Sequence, residues 1–132
     1  SDVCSSDLGD SGIDIYMGSG GAPEGVLAAA ALRAIGGQIQ GRLLFRNDDE
    51  RARAKKWGIT DLNRKYSMLE MAKGDVMFAA TGVTSGSMLK GVRRFGNGAE
   101  THSIVMRSKT GTVRWISAHH NFSIKTGLPS WA

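Results

Sequence analysis

The alternation of apolar and polar positions begins with Ile13-Asp14-Ile15-Tyr16-Met17, a short β-type run. Gly18-Ser19-Gly20-Gly21-Ala22-Pro23-Glu24-Gly25 follows and leads into the apolar stretch Val26-Leu27-Ala28-Ala29-Ala30-Ala31-Leu32. The pattern predicts a strand, a glycine turn and a helix. Proline is pre-organised for a first helical turn and lacks an N–H that would be orphaned there. Gly36-Gly37 supplies the stop, because the residue past a last turn often needs positive φ. Val26, Leu27, Leu32 and Ile35 are separated mostly by alanine, so this helix is apolar nearly all round and is expected to be buried on several sides. Residues 38–45 then alternate, with Ile39, Leu43 and Phe45 on one face, which predicts a strand. The three elements make a βαβ unit, right-handed if its strands are parallel.

Asn47 reads as the cap of a second helix, with Asp48, Asp49 and Glu50 in its first turn and Arg51, Arg53, Lys55 and Lys56 toward its end. That order sorts charge along the helix dipole, so the three acids are read as capping rather than as metal ligands. Gly58 suits the position after the helix. Residues 61–66 read as a connector, with Met68-Leu69 as a short strand. Residues 75–82 are apolar on both faces, as expected for a central strand of a covered sheet. The strand runs into Thr81-Gly82-Val83-Thr84-Ser85-Gly86, a second glycine and hydroxyl loop at a strand's C-terminal end, where ligands collect in open α/β sheets. The plainer reading is a turn whose Ser and Thr cap a short helix at Met88-Leu89. Residues 99–107 and 112–119 are β-type runs joined by Ser108-Lys109-Thr110-Gly111, a hairpin signal. Val105, Ile104 and Met106 supply apolar positions in the first run, and Val113, Trp115 and Ile116 in the second. His119 and His120, as strand neighbours, face opposite sides and are not expected to chelate one ion. His102 is read as structural or surface.

Composition narrows the class. The 132 residues are 41% hydrophobic and 22% charged, which suits one soluble domain. Residues 1–8 show neither periodicity nor cap logic and are set aside as a non-native segment; residues 121–132 read as a loosely held tail. Cys4 is the only cysteine, so no disulfide, zinc or thiol chemistry is expected. Nothing approaches the 18 or more apolar residues of a membrane span. A cytoplasmic protein with no membrane partner fits both observations. A net charge of +5 with only 7% aromatics gives no aromatic-basic interleaving, so a nucleic-acid partner is not expected either.

The glycine turn carries the chemistry. It delivers its residues to a helix N-terminus, where free N–H groups and the dipole favour an anion. Glu24 gains from the same dipole, and a carboxylate beside a phosphate calls for a cation between them. The turn matches neither GxGxxG nor the P-loop, and a ligand-free turn with an ordinary capping glutamate accounts for it equally well.

Residues 18–43, with Gly-Gly-Ala-Pro-Glu-Gly at 20–25 as the core, resemble the signature of class II fructose-1,6-bisphosphatases. Similarity continues through Met71-Ala72-Lys73-Gly74-Asp75-Val76, Ala79-Ala80-Thr81-Gly82-Val83-Thr84 and Thr101-His102-Ser103-Ile104-Val105-Met106-Arg107-Ser108. The resemblance implies the C-terminal part of a longer α/β protein, spanning residues 9–120. The implied fold is a layered α/β sandwich of the sugar-phosphatase/inositol-monophosphatase type, here a βαβ unit and a C-terminal β-hairpin. The implied reaction is metal-dependent hydrolysis of fructose 1,6-bisphosphate, a step of gluconeogenesis, with sedoheptulose 1,7-bisphosphate also a substrate of some relatives. Glu24 is implied as a ligand of Mn2+ or Mg2+, and Gly21 and Gly20 as substrate contacts. The family's other acidic ligands, its water-activating threonine and an Asp-Gly-Asp substrate loop lie upstream of this match. The chain alone is therefore expected to be inactive and the whole protein to be a homo-oligomer. The alternatives are a non-catalytic phosphate- or nucleotide-binding module and a basic nucleic-acid-binding domain.

Overall fold

A computed structural model of the chain describes residues 12, 14–125 and 127. The segment 1–8, Ile13 of the first expected strand and residues 126 and 128–132 of the tail lie outside the described residues. The architecture is α/β, built from helices and two sheets. Helix α1 spans Ala22–Ile35; β1, Gln40–Arg42; α2, Asp48–Lys56; β2, Lys65–Ser67; and α3, Met68–Met71. Strands β3 (Met77–Thr81), β4 (Arg93–Phe95), β5 (Gly98–Arg107) and β6 (Thr112–Asn121) complete the chain.

Strand β5 organises the larger sheet. It pairs along its whole length with β6, from Gly98↔Asn121 to Arg107↔Thr112. A strand has two edges, so β3, on residues 103–107, and β4, on 98–100, share the other one end to end. The hairpin expectation is met: β5 and β6 flank residues 108–111, with Gly111 at φ 62° and its N–H donating to the Arg107 carbonyl at 3.0 Å.

One face of this sheet is the core. Ile104 and Met106 of β5 are fully buried and pack with Ala31 and Ala34 of α1 and with Leu89. Phe78 and Ala80 of β3 and Val113 of β6 surround them. The alanines that made α1 look apolar all round are the residues that let it lie close to the sheet. Its burial is one-sided, however: Ala29, Ala31, Leu32 and Ala34 are buried, whereas Val26 and Leu27 are 45% and 57% exposed. On the N-terminal half of α1, Met71 of α3 comes near Gly25, where a Cβ would lie 3.7 Å from its Cε.

Several elements differ from expectation. Residues 14–17 form no strand, and β1 pairs antiparallel with β2, so there is no parallel βαβ unit among the described residues. Alternation does hold from 39 to 45, with Ile39, Gly41, Leu43 and Phe45 half-buried, but Gly41 has no side chain to pack in a strand interior and the ladder stops at three residues. A period-2 pattern names a face, not a partner. Residues 65–67 are the strand, while Met68–Met71 is one helical turn closed by a capping box. Ser67 accepts from the Glu70 N–H, and the Glu70 carboxylate accepts from the Ser67 N–H at 2.8 Å. Strand β3 is not central: among the described residues β5 is its one partner, and Met77 is 67% exposed. Small Ala79 and Ala80 fit a covered or an open face alike.

Helix α2 follows its charges. The Asn47 side chain accepts from the Glu50 N–H at 2.9 Å, Asp48 pairs with Arg51, and Gly58 adopts φ 86° just past the end. The acids 48–50 therefore serve the helix start, as capping logic requires.

Candidate functional site

The glycine turn does become the start of α1. Gly21 is the N-cap, at φ −66° and ψ 148°, with no side chain to cap the helix. Pro23 stands in the first turn, and the first helical hydrogen bond runs from the Gly25 N–H to the Gly21 carbonyl at 3.1 Å. At the far end Gly36 takes φ 82° and closes the helix onto the Leu32 carbonyl.

Glu24 folds back over this cap. A Cβ at Gly21 would lie 3.0 Å from the Glu24 Cδ and nearer still to Oε2, so the carboxylate occupies the space that a side chain at 21 would fill. Gly20, one residue earlier, has open space on its Cβ side. All three residues are exposed. The result is a solvent-facing stretch of bare backbone at the positive end of a helix, with one carboxylate folded over it. Such an arrangement can hold an anionic group against backbone N–H groups and offer one hard oxygen ligand to a cation.

The described residues go no further toward a metal centre. Among them no three His, Cys, Asp or Glu side chains come together as a possible ion site. Glu24 suits a hard divalent ion as a single donor, and a single donor does not build a site.

The second glycine loop closes on itself. The Gly91 N–H donates to Ser85 Oγ at 2.9 Å and the Val92 N–H to the Val83 carbonyl at 3.1 Å. A Cβ at Gly91 would come within 2.7 Å of the Ser85 nitrogen, so this close approach requires glycine. No helix forms at Met88-Leu89; Leu89 instead inserts into the core, and Ser85 caps the loop's own backbone. His102 is structural: its carbonyl accepts from the Gly82 N–H at 2.9 Å and its Nδ1 from the Lys90 N–H at 3.1 Å. His119 and His120 separate as the strand demands. His120 Nε2 meets Thr101 Oγ1 at 2.9 Å, while the His119 ring lies 6.4 Å from that of Phe95.

Hydrogen bonds, two of them within ion pairs, hold three other carboxylates below their ordinary range. Asp75 is held down by hydrogen bonding from Arg107, whose own affinity for its proton rises in return. Glu100 is lowered by Arg93, and Glu70 by the Ser67 N–H. The Ser67-Met68-Leu69-Glu70 spacing is a readable capping-box signal, just where the sequence reading places a short strand at Met68-Leu69.

The chain is 42% identical over 127 residues to the D-fructose 1,6-bisphosphatase class 2/sedoheptulose 1,7-bisphosphatase 2 of Acaryochloris marina (strain MBIC 11017), covering 85% of this chain and 36% of that protein. Identity to the D-fructose 1,6-bisphosphatase class 2/sedoheptulose 1,7-bisphosphatase of Trichodesmium erythraeum (strain IMS101) is 42% over 123 residues, covering 83% and 36%. For the protein of that name in Synechococcus sp. (strain JA-3-3Ab) it is 41% over 122 residues, covering 83% and 35%. The chain thus spans about a third of the length of these curated relatives. The sequence model of the bacterial fructose-1,6-bisphosphatases, glpX-encoded, matches residues 3–120. With 118 consecutive positions inside that match, the chain belongs to the bacterial, glpX-encoded fructose-1,6-bisphosphatase family.

Proposed function

We propose that this chain supplies one wall of the active site of a longer, metal-dependent bisphosphatase that converts fructose 1,6-bisphosphate and water to fructose 6-phosphate and phosphate. The observation that carries the reading is the exposed Gly20–Gly21 cap with the Glu24 carboxylate folded over it. Gly21, and Gly20 beside it, contact the sugar bisphosphate through backbone that no side chain shields. Glu24 is a ligand of the divalent ion, Mn2+ or Mg2+, which when bound neutralises phosphate charge and lowers the pKa of water. In the reaction, water adds to phosphorus, the bond from phosphorus to the sugar oxygen breaks, and that oxygen leaves protonated. Glu24 and the α1 N-terminus hold and orient the reacting phosphoryl group; the residues that activate water belong to the rest of the polypeptide. The antiparallel sheet with α1 on one face suits one half of a layered α/β sandwich of the sugar-phosphatase type.

The 132-residue chain alone is inactive in this reading, since no three ligating side chains meet among its described residues. The test is phosphate release from fructose 1,6-bisphosphate with Mn2+ or Mg2+, comparing the complete polypeptide, its Glu24→Gln variant and the chain alone. Glu24→Gln is expected to lose more than the roughly 10–100-fold typical of outer-shell groups, with its folding unchanged. An active Glu24→Gln protein, or an active isolated chain, would overturn the assignment.

A further inference from the structure

The ribbon formed by β1 and β2 contains a like-charge pair that its register forces together. Arg42 stands directly opposite Lys65, Gly41 opposite Tyr66, and Gln40 opposite Ser67. Opposed residues in an antiparallel pair share a face, so Gln40, Arg42, Lys65 and Ser67 lie on one side of the ribbon. Gly41 and Tyr66 turn the other way: a Cβ at Gly41 would sit 3.3 Å from the Met71 side chain, and Tyr66 is half-buried. The outward face therefore carries two exposed cations, which repel where the strands pair.

Nothing nearby relieves that repulsion. Among the described residues neither cation belongs to an ion pair. The carboxylate of Glu70, next along the chain from this face, is already taken by Arg64 and by the Ser67 N–H and hydroxyl. Arg64 itself lies over the Tyr66 ring at 5.0 Å. Between the two cations is a shallow, open depression lined by Gln40, Gly41, Arg42 and Lys65.

We infer that this exposed face between Arg42 and Lys65 is a binding site for a phosphate dianion, inorganic or carried by a small metabolite. Two cations match the near-double negative charge of a phosphate monoester at neutral pH. Arg42 offers a planar fork for two oxygens, Lys65 a point charge, and the Gln40 amide a further donor. The inference is independent of the roles proposed for Gly20, Gly21 and Glu24.

Like-charge opposition gives the test an unusual signature. Thermal unfolding and hydrogen–deuterium exchange of the 132-residue chain are measured at low micromolar concentration, with inorganic phosphate or chloride at equal ionic strength. Phosphate is expected to raise the melting midpoint and to slow exchange in peptides covering 40–42 and 65–67. Arg42→Gln and Lys65→Gln each remove the repulsion, so each should melt higher than wild type in chloride, yet bind phosphate about tenfold or more weakly. Arg42→Lys, which keeps the charge, should retain most of the response. Protection confined to residues 18–25, equal protection in both glutamine variants, or no protection of the ribbon in any condition would each overturn the site.

Discussion

At Gly21 the backbone is one that any residue adopts, and the crowding lies in the space above it. With φ at −66°, alanine is tolerated conformationally, and replacing an N-cap glycine costs about 1 kcal/mol or less. The new methyl would nevertheless meet the Glu24 carboxylate and push it off the cap. Gly21→Ala is therefore expected to leave the urea midpoint nearly unchanged while lowering phosphate release by the complete polypeptide about tenfold or more, since small misplacements of a positioning group are costly. Gly36 makes the opposite case. Its φ of 82° suits glycine alone, and Gly36→Ala should cost about 1 kcal/mol or more in urea unfolding without displacing Glu24. If both variants lose activity only in proportion to stability, the crowding above Gly21 has no functional meaning. The turn was legible in the sequence because its glycines, proline and glutamate are contiguous. Arg42 and Lys65 were not, because only the strand register brings them together.

Among the elements, the sheet decides what is core. Ile104 and Ile116 lie on adjoining strands, yet one is fully buried and the other 44% exposed. Ile104→Ala should cost about 2–5 kcal/mol and Ile116→Ala about 0.5 kcal/mol, compared by urea unfolding. The edge beside them is tied by Asp75, whose carboxylate accepts from Arg107 at 2.6 Å. Because the Asp75 pKa is lowered on folding, its pairing stabilises the fold above the unfolded carboxylate's range and is lost as pH falls through the lowered value. An Arg107→Gln variant should thus be less stable than wild type at neutral pH, with the gap closing as pH falls below about 4. Urea midpoints across that window check the sign; a constant gap would assign the cost to lost packing of Arg107. Local signals foretold α1, α2 and the β5–β6 hairpin, since caps, dipole-sorted charge and a four-residue turn act over a few positions. The partners of β1 and β3 were not foretold. Short apolar or alternating runs fix which side faces inward, and they do not encode which strand lies alongside, so a βαβ unit and a three-residue antiparallel ribbon read alike.

For the whole molecule, the sheet has a second face that no described element covers. Opposite Ile104 and Met106, the alternate positions are Met77, Ala79 and Thr81 on β3, Ser103, Val105 and Arg107 on β5, and Arg114 and Ile116 on β6. Its hydroxyls are already satisfied within the face: Thr81 Oγ1 meets Ser103 Oγ at 2.8 Å, and Thr101 Oγ1 meets His120 Nε2 at 2.9 Å. Burial of this face would strand none of these groups, so the usual penalty for covering hydroxyls does not apply. The edges are open as well, since β3 and β6 have β5 as their partner and nothing described on their outer sides. Apolar area together with unpaired strand edges favours association, while a net charge of +5 opposes it only weakly once salt screens it. By itself the chain is expected to self-associate, with a sedimentation coefficient that rises with concentration and with salt. Ile116→Lys adds a charge beside Arg114 on this face without touching the core, and should shift the chain further toward monomer at unchanged secondary structure. A wild-type chain that stays monomeric and melts cooperatively over the same range would mean that this face is stable in water as it stands.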